Sequence, residues 1–210
     1  MLRFIIIVCE PTDTFAVPGG KVDFGETFLA TAARELYEET GIDIRNSVPK
    51  DARTVPCFPP LPSSILPPYI EDSSRPIVPI FEGGSVCAIS PSENLHMIVR
   101  VIVCDMPFDS EPQNLEPLKC AGWFWVPWAE IQALAKCQYQ RTLEAVANMQ
   151  TREQSPDILD IHVDMSDYKS SIPELNGARL FPPLLLVGNS SWSPFASTID
   201  STPQVTLDRV

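Results

Sequence analysis

Apolar and polar positions along the chain change rhythm several times, and each change predicts an element. Phe4 to Cys9 is an unbroken apolar run rich in isoleucine, so Leu2 to Cys9 reads as a buried strand. Glu10-Pro11-Thr12-Asp13 turns, and Phe15 to Val17 leads directly into Gly19-Gly20, which leaves one convincing strand ahead of that glycine pair. The rhythm then becomes helical. Phe28, Leu29, Ala32, Ala33 and Leu36 recur at helix spacing and define a core-facing stripe, with Thr27 as the cap and Gly41 as the stop. Beyond it, Asp43 to Arg45 reads as a short strand, Pro76 to Phe81 as a short edge strand and Glu82-Gly83-Gly84 as a turn. Ser85 to Ile89, Leu95 to Cys104 and Gly122 to Val126 read as further strands. Pro127 and Trp128 open a helix whose apolar positions Ile131, Leu134 and Ala135 continue toward Leu143 and Val146. The alternation of strands and helices predicts an α/β chain.

The polar side of the first helix carries the chemistry. Glu35, Glu38 and Glu39 stand at i, i+3 and i+4, so all three project from one side within about one turn. Like charges this close repel unless a cation meets them, and hard oxygen ligands at this density suit Mg²⁺ or Mn²⁺.

Composition narrows the partners. The 210 residues carry a formal net charge of −12 and no basic patch, which argues against a protein that grips long nucleic acids by their phosphates. A small anionic substrate must then be drawn in locally, by a metal and a few basic side chains. The N-terminal apolar run ends at Glu10, too soon for a signal peptide or a membrane span, so a cytoplasmic protein is expected. Six cysteines without a C-x-x-C pair predict free thiols, and His96 and His162 read as strand or loop residues. Prolines crowd residues 46–84, which predicts a loop insertion, and the Ser/Thr-rich tail 196–210 reads as disordered.

Gly20, Glu26, Arg34, Glu35, Leu36, Glu38, Glu39, Gly41 and Ile42 meet every position of G-x5-E-x7-R-E-U-x-E-E-x-G-U, where U is aliphatic. This stretch resembles the signature of the Nudix hydrolases, and Val17-Pro18-Gly19 resembles its lead-in. The resemblance implies an α/β/α sandwich with a mixed sheet, in which two strands ordinarily precede the signature; here either one of them is missing or the sheet is completed in some other way. Further on, Ser110 to Glu130 and Leu180 to Phe195 are similar to the matching parts of the Nudix nucleotide triphosphate diphosphatases called type fifteen and of the plant type one group. On that basis the domain runs over 1–195, with insertions at 46–84 and 137–177. The acidic run of the second, Asp157 to Asp167, is expected to be loosely ordered.

What the resemblance implies for the site is specific. Glu35 and Glu39, with Glu38 beside them and the Gly20 carbonyl, would hold Mg²⁺ or Mn²⁺, and one of the three glutamates would act as general base. Arg34 either pairs with Glu26 and orients the helix or touches a phosphate. Glu116 lies in the loop where relatives supply a further acidic ligand, whereas Leu118 and Ala121 replace acidic residues of the closer relatives. Pro182 occupies the place of an aromatic residue that packs on the substrate, so Phe181 or the Trp123 to Trp128 cluster would have to replace it; Trp123 and Trp125 otherwise read as core. The activity implied is hydrolysis of nucleoside triphosphates to monophosphate and pyrophosphate, with a use in clearing oxidised or modified nucleotides. Hydrolysis of a sugar, cap or isoprenoid diphosphate stays open, as does a binding module without turnover. The expected partners are a nucleotide or other small diphosphate, with a homodimer as a compatible assembly and no long nucleic acid or membrane.

Overall fold

The computed structural model describes residues 3–9, 14–52, 77–90, 95–107, 109–149 and 161–191, with only the backbone at 3–9, 81–82, 88–90 and 95–96. In chain order the elements are β1 (Arg3–Cys9), β2 (Thr14–Ala16), α1 (Phe28–Thr40), β3 (Ile80–Ser90), β4 (Leu95–Cys104), β5 (Cys120–Pro127), α2 (Trp128–Met149), β6 (Arg179–Leu180) and α3 (Pro182–Asn189). One sheet has the order β5-β1-β2-β6, and β3 pairs with β4 in a second. The expected α/β class therefore holds. Residues 53–76, which carry most of the proline-rich segment, and the tail from 192 lie outside the described residues.

The described chain divides into two compact units. The first gathers Met1–Val17, Gly84–Arg100 and Phe124–Val210. In it, β1 runs antiparallel to β2, with Val8 opposite Phe15, and β2 runs parallel to β6, with Phe15 opposite Leu180, so the sheet is mixed. Two strands thus precede the glycine pair, and the reading in which one is missing is corrected. β2 is only three residues long, too short for alternation to announce it, and it owes its existence to partners on both sides. Phe15 is buried there, with its ring edge-on to Phe124 at a centroid distance of 5.8 Å.

Helix α2 continues unbroken through Cys137, the residue at which the second insertion was expected to begin. Ile131, Leu134 and Ala135 are fully buried along it, and Leu184 to Val187 of α3 are buried as well. Gly188 lets the two helices approach closely: a Cβ there would lie 2.8 Å from the Ala135 Cβ. Gln138 fixes the end of the sheet, because its Nε2 donates to the Leu180 carbonyl at 3.1 Å and its Oε1 accepts from the Leu180 N–H at 2.6 Å. Both polar ends of a buried amide are thereby satisfied. The acidic stretch, expected to be loosely ordered, packs where it is described: Val163 and Met165 are buried, since its apolar residues alternate there with His162, Asp164 and Ser166. Arg141 adds an ion pair to Asp167 at 2.6 Å.

The second unit comprises Pro18–Gly83 and Val101–Trp123. Thr27 caps α1 by accepting from the Ala30 N–H at 3.1 Å, and Gly41 stops it with φ 72°, a left-handed conformation that only glycine adopts without strain. Cap and stop agree with the sequence; the apolar stripe does not entirely. Ala30, Ala33 and Leu36 are buried with Thr31 and Thr40, whereas Phe28 is 43% exposed. The two buried threonines make this burial compatible with their hydroxyls by hydrogen bonds to the Glu26 carboxylate (2.9 Å) and the Leu36 carbonyl (2.5 Å). The short strand expected at Asp43 to Arg45 is replaced by a 3-10 turn over Arg45–Ser47. Asp43 Oδ1 accepts from both the Arg45 N–H and its Nε at 3.0 Å, a side-chain bond that curls the backbone away from an extended path. Glu82-Gly83-Gly84 forms no turn and lies inside the eleven-residue β3, where pairing with β4 outweighs the turn tendency of two glycines.

Candidate active site

The second unit assembles the signature around Arg34. Its guanidinium donates to Glu26 (Nε to Oε1, 3.1 Å; Nη2 to Oε2, 3.1 Å), to Glu35 Oε1 (2.8 Å), to Glu38 Oε2 (3.0 Å) and to the Lys21 carbonyl (3.2 Å). Of the two roles open to Arg34, pairing with Glu26 is the one seen. Burial tends to lower the basicity of this group, but the carboxylates of Glu26 and Glu35 outweigh it and hold Arg34 firmly protonated. Glu26 is buried, which by itself would raise its pKa; hydrogen bonds from Arg34 and Thr31, with the Arg34 charge, bring it below the usual carboxylate value. One arginine therefore ties the loop before α1 to the helix and orients two of its three glutamates.

Gly20 lies against Glu35 so closely that a Cβ at this position would run into the carboxylate. The requirement for glycine here is thus one of space. Glu39 is placed from three sides. Its Oε2 accepts from the Gly19 N–H at 3.2 Å, and its backbone carbonyl accepts from the Leu115 N–H at 3.2 Å and from Trp123 Nε1 at 3.1 Å. The Gln113 N–H bonds the Thr40 carbonyl at 2.8 Å, so residues 113–123 satisfy the last carbonyls of α1. Trp123, expected to be core, is half-buried and holds the helix end through its indole.

The electrostatics of Glu39 report how crowded the acids are. Burial pushes its pKa up to about 7, and the charges of Glu35 and Glu116 push in the same direction; the Gly19 N–H and the Lys119 charge offset only part of this. Glu39 is therefore close enough to Glu35 and Glu116 to be repelled by both. Among the described residues, no three His, Cys, Asp or Glu side chains converge as a ready metal cage, because Glu35 and Glu38 are turned onto Arg34 and Glu39 onto Gly19. The donor chemistry nonetheless fits a divalent cation. Hard oxygens whose mutual repulsion is only partly offset, beside a glycine with no side chain in the way, are what Mg²⁺ or Mn²⁺ would stabilise.

Glu116 is brought into the range of Glu39 and carries Lys119 Nζ at 2.6 Å. Phe181 belongs to the first unit, where its N–H donates to the Phe15 carbonyl at 2.8 Å and its side chain is 43% exposed; Pro182 opens α3 beside it. Sequence reasoning missed the Gly19 N–H, the Trp123 indole and Lys119. The Gly19 position had a signal in the lead-in to the signature. The other two are separated from Glu39 by some eighty residues and had none.

A glycine turn feeding a helix of glutamates, held by one half-buried arginine, defines a class, and the comparison with known families agrees. The family model described as NUDIX domain matches residues 3–147, from β1 through nearly all of α2. The chain belongs to the Nudix family. It is accordingly a Nudix hydrolase, of the family that acts on small diphosphates, chiefly nucleoside diphosphate derivatives, and generally uses divalent metals such as Mg²⁺. Among the described residues no helix is long and apolar enough to cross a membrane.

Proposed function

We propose that this protein hydrolyses nucleoside triphosphates to monophosphate and pyrophosphate with the help of Mg²⁺ or Mn²⁺, as a cytoplasmic enzyme that clears oxidised or modified nucleotides. The observation that carries the metal-dependent site is the crowding of Glu39 by Glu35 and Glu116 beside Gly20. Glu35, Glu38 and Glu39, with the Gly20 carbonyl, are the residues that would hold the metal. When bound, the ion would neutralise charge on the phosphate oxygens and make the phosphorus more open to attack. One of the three glutamates takes a proton from water as the water oxygen bonds to phosphorus. The α–β anhydride bond breaks, and pyrophosphate leaves with its electron pair.

Triphosphates are favoured over other diphosphates by the similarity of Ser110 to Glu130 to the type fifteen and plant type one groups. Phe181 is the proposed contact for the base, standing in for the aromatic residue replaced by Pro182. A panel of nucleoside triphosphates, sugar diphosphates, cap analogues and isoprenoid diphosphates, assayed with Mg²⁺, tests this. Pyrophosphate release from triphosphates is the expected result. Release of orthophosphate or a terpenyl monophosphate in its place would reassign the substrate, and metal binding without turnover of any of them would make the protein a binding module.

A further inference from the structure

Lys119 is a cation built into an acidic site. The turn that carries it is fixed by its own backbone, since the Lys119 and Cys120 N–H groups both donate to the Glu116 carbonyl (2.9 and 3.1 Å). Asn114 Nδ2 closes the same turn on the Cys120 carbonyl at 2.9 Å. The Lys119 ammonium donates to Glu116 Oε1 at 2.6 Å, and its charge also reaches Glu39. Arg34 is already engaged by Glu26, Glu35 and Glu38, and Arg45 by Asp43 and the face of Tyr37, 3.9 Å from the ring centroid. The Lys119 side chain is 70% exposed and carries no second ion pair among the described residues, so it can swing away from Glu116 at little cost.

We propose that Lys119 is an exchangeable counter-ion of the glutamate site: it shields Glu116 and Glu39 while no metal is bound, yields them to an arriving divalent cation, and then meets the polyphosphate of the substrate. A positive charge beside carboxylates competes with any second cation for them, and the same charge, once released, attracts an anion. Lys119 thus weakens binding of the bare metal and strengthens binding of the metal-loaded nucleotide. This inference rests on the proposed metal-dependent nucleotide site.

The test measures Mn²⁺ binding alone by electron paramagnetic resonance, and binding of a non-hydrolysable triphosphate analogue at saturating Mn²⁺ by calorimetry, in the full chain. Lys119→Gln is expected to bind bare Mn²⁺ about two- to fivefold more tightly than wild type and the analogue more weakly by a similar factor, with Lys119→Arg restoring both. General damage to the site would loosen both ligands together, so opposite signs are the diagnostic. Wild-type protein that takes up Mn²⁺ while Lys119→Gln matches it in both measurements overturns the counter-ion role alone. Wild-type protein that takes up no Mn²⁺, with or without nucleotide, overturns the metal site and this inference with it.

Discussion

Glu39 and Glu26 lie on opposite sides of ordinary carboxylate behaviour, and the difference makes them separable by experiment. Glu39 carries a proton more readily than usual because burial and two neighbouring acids disfavour its charge. Glu39→Gln removes that charge and keeps the shape; turnover should fall by about 10²- to 10⁴-fold, while the thermal midpoint is not lowered. Near-normal rates in a steady-state assay would count against Glu39 as base or ligand. Glu26 is the reverse case. Its folded pKa lies below its unfolded value, so the folded state binds fewer protons there and stability falls as pH falls. The Glu26–Arg34 contribution is fully present above the unfolded value of 4.5 and disappears as pH drops through the lower folded value. Glu26→Gln should cost about 1–3 kcal/mol at pH 7 and flatten the acid side of a urea-midpoint profile between about pH 6 and 3. An unchanged slope in that profile would remove Glu26 from the account of acid lability.

Helix α1 is the most legible element, because its ends and its function are written in adjacent residues. Thr27, Gly41 and the three glutamates lie within one short window, so local rules suffice to find them. Gly41→Ala tests the stop: with φ at 72°, a methyl group is strained by about 1 kcal/mol, and chemical denaturation should show that loss with little change in metal binding. A neutral result would mean that the helix end is set by Gln113, Leu115 and Trp123 alone. Those three residues mark the limit of what the sequence reveals. They bond Glu39 and Thr40 from more than seventy positions away, and no periodicity encodes a long-range hydrogen bond. The strand through Gly83 and Gly84 escapes sequence reading for a related reason, since a partner strand outweighs local turn propensity. Phe28 departs from its expected burial because helical spacing fixes a stripe's width better than its edges.

At the level of the molecule, the family match ends at residue 147, yet the first unit depends on the chain beyond that point. A chain cut after residue 147 keeps the whole signature but loses β6 and α3. β2 is then paired on one side only, the Gln138 amide loses both its partners, and the side of α2 that α3 covers is exposed. Such a chain is expected to express as aggregates, or to bind a hydrophobic dye and melt without a cooperative transition. A soluble, cooperatively melting fragment would show that the closing segment is dispensable.

The register of β2 also bears on how the protein comes into being. Phe15 leaves the ribosome 165 residues ahead of Leu180, its neighbour across the sheet. During the interval, at about 5–20 residues per second, the nascent chain holds an incomplete ladder for roughly ten seconds or more. Cellular yield should therefore respond to chaperone supply and translation speed.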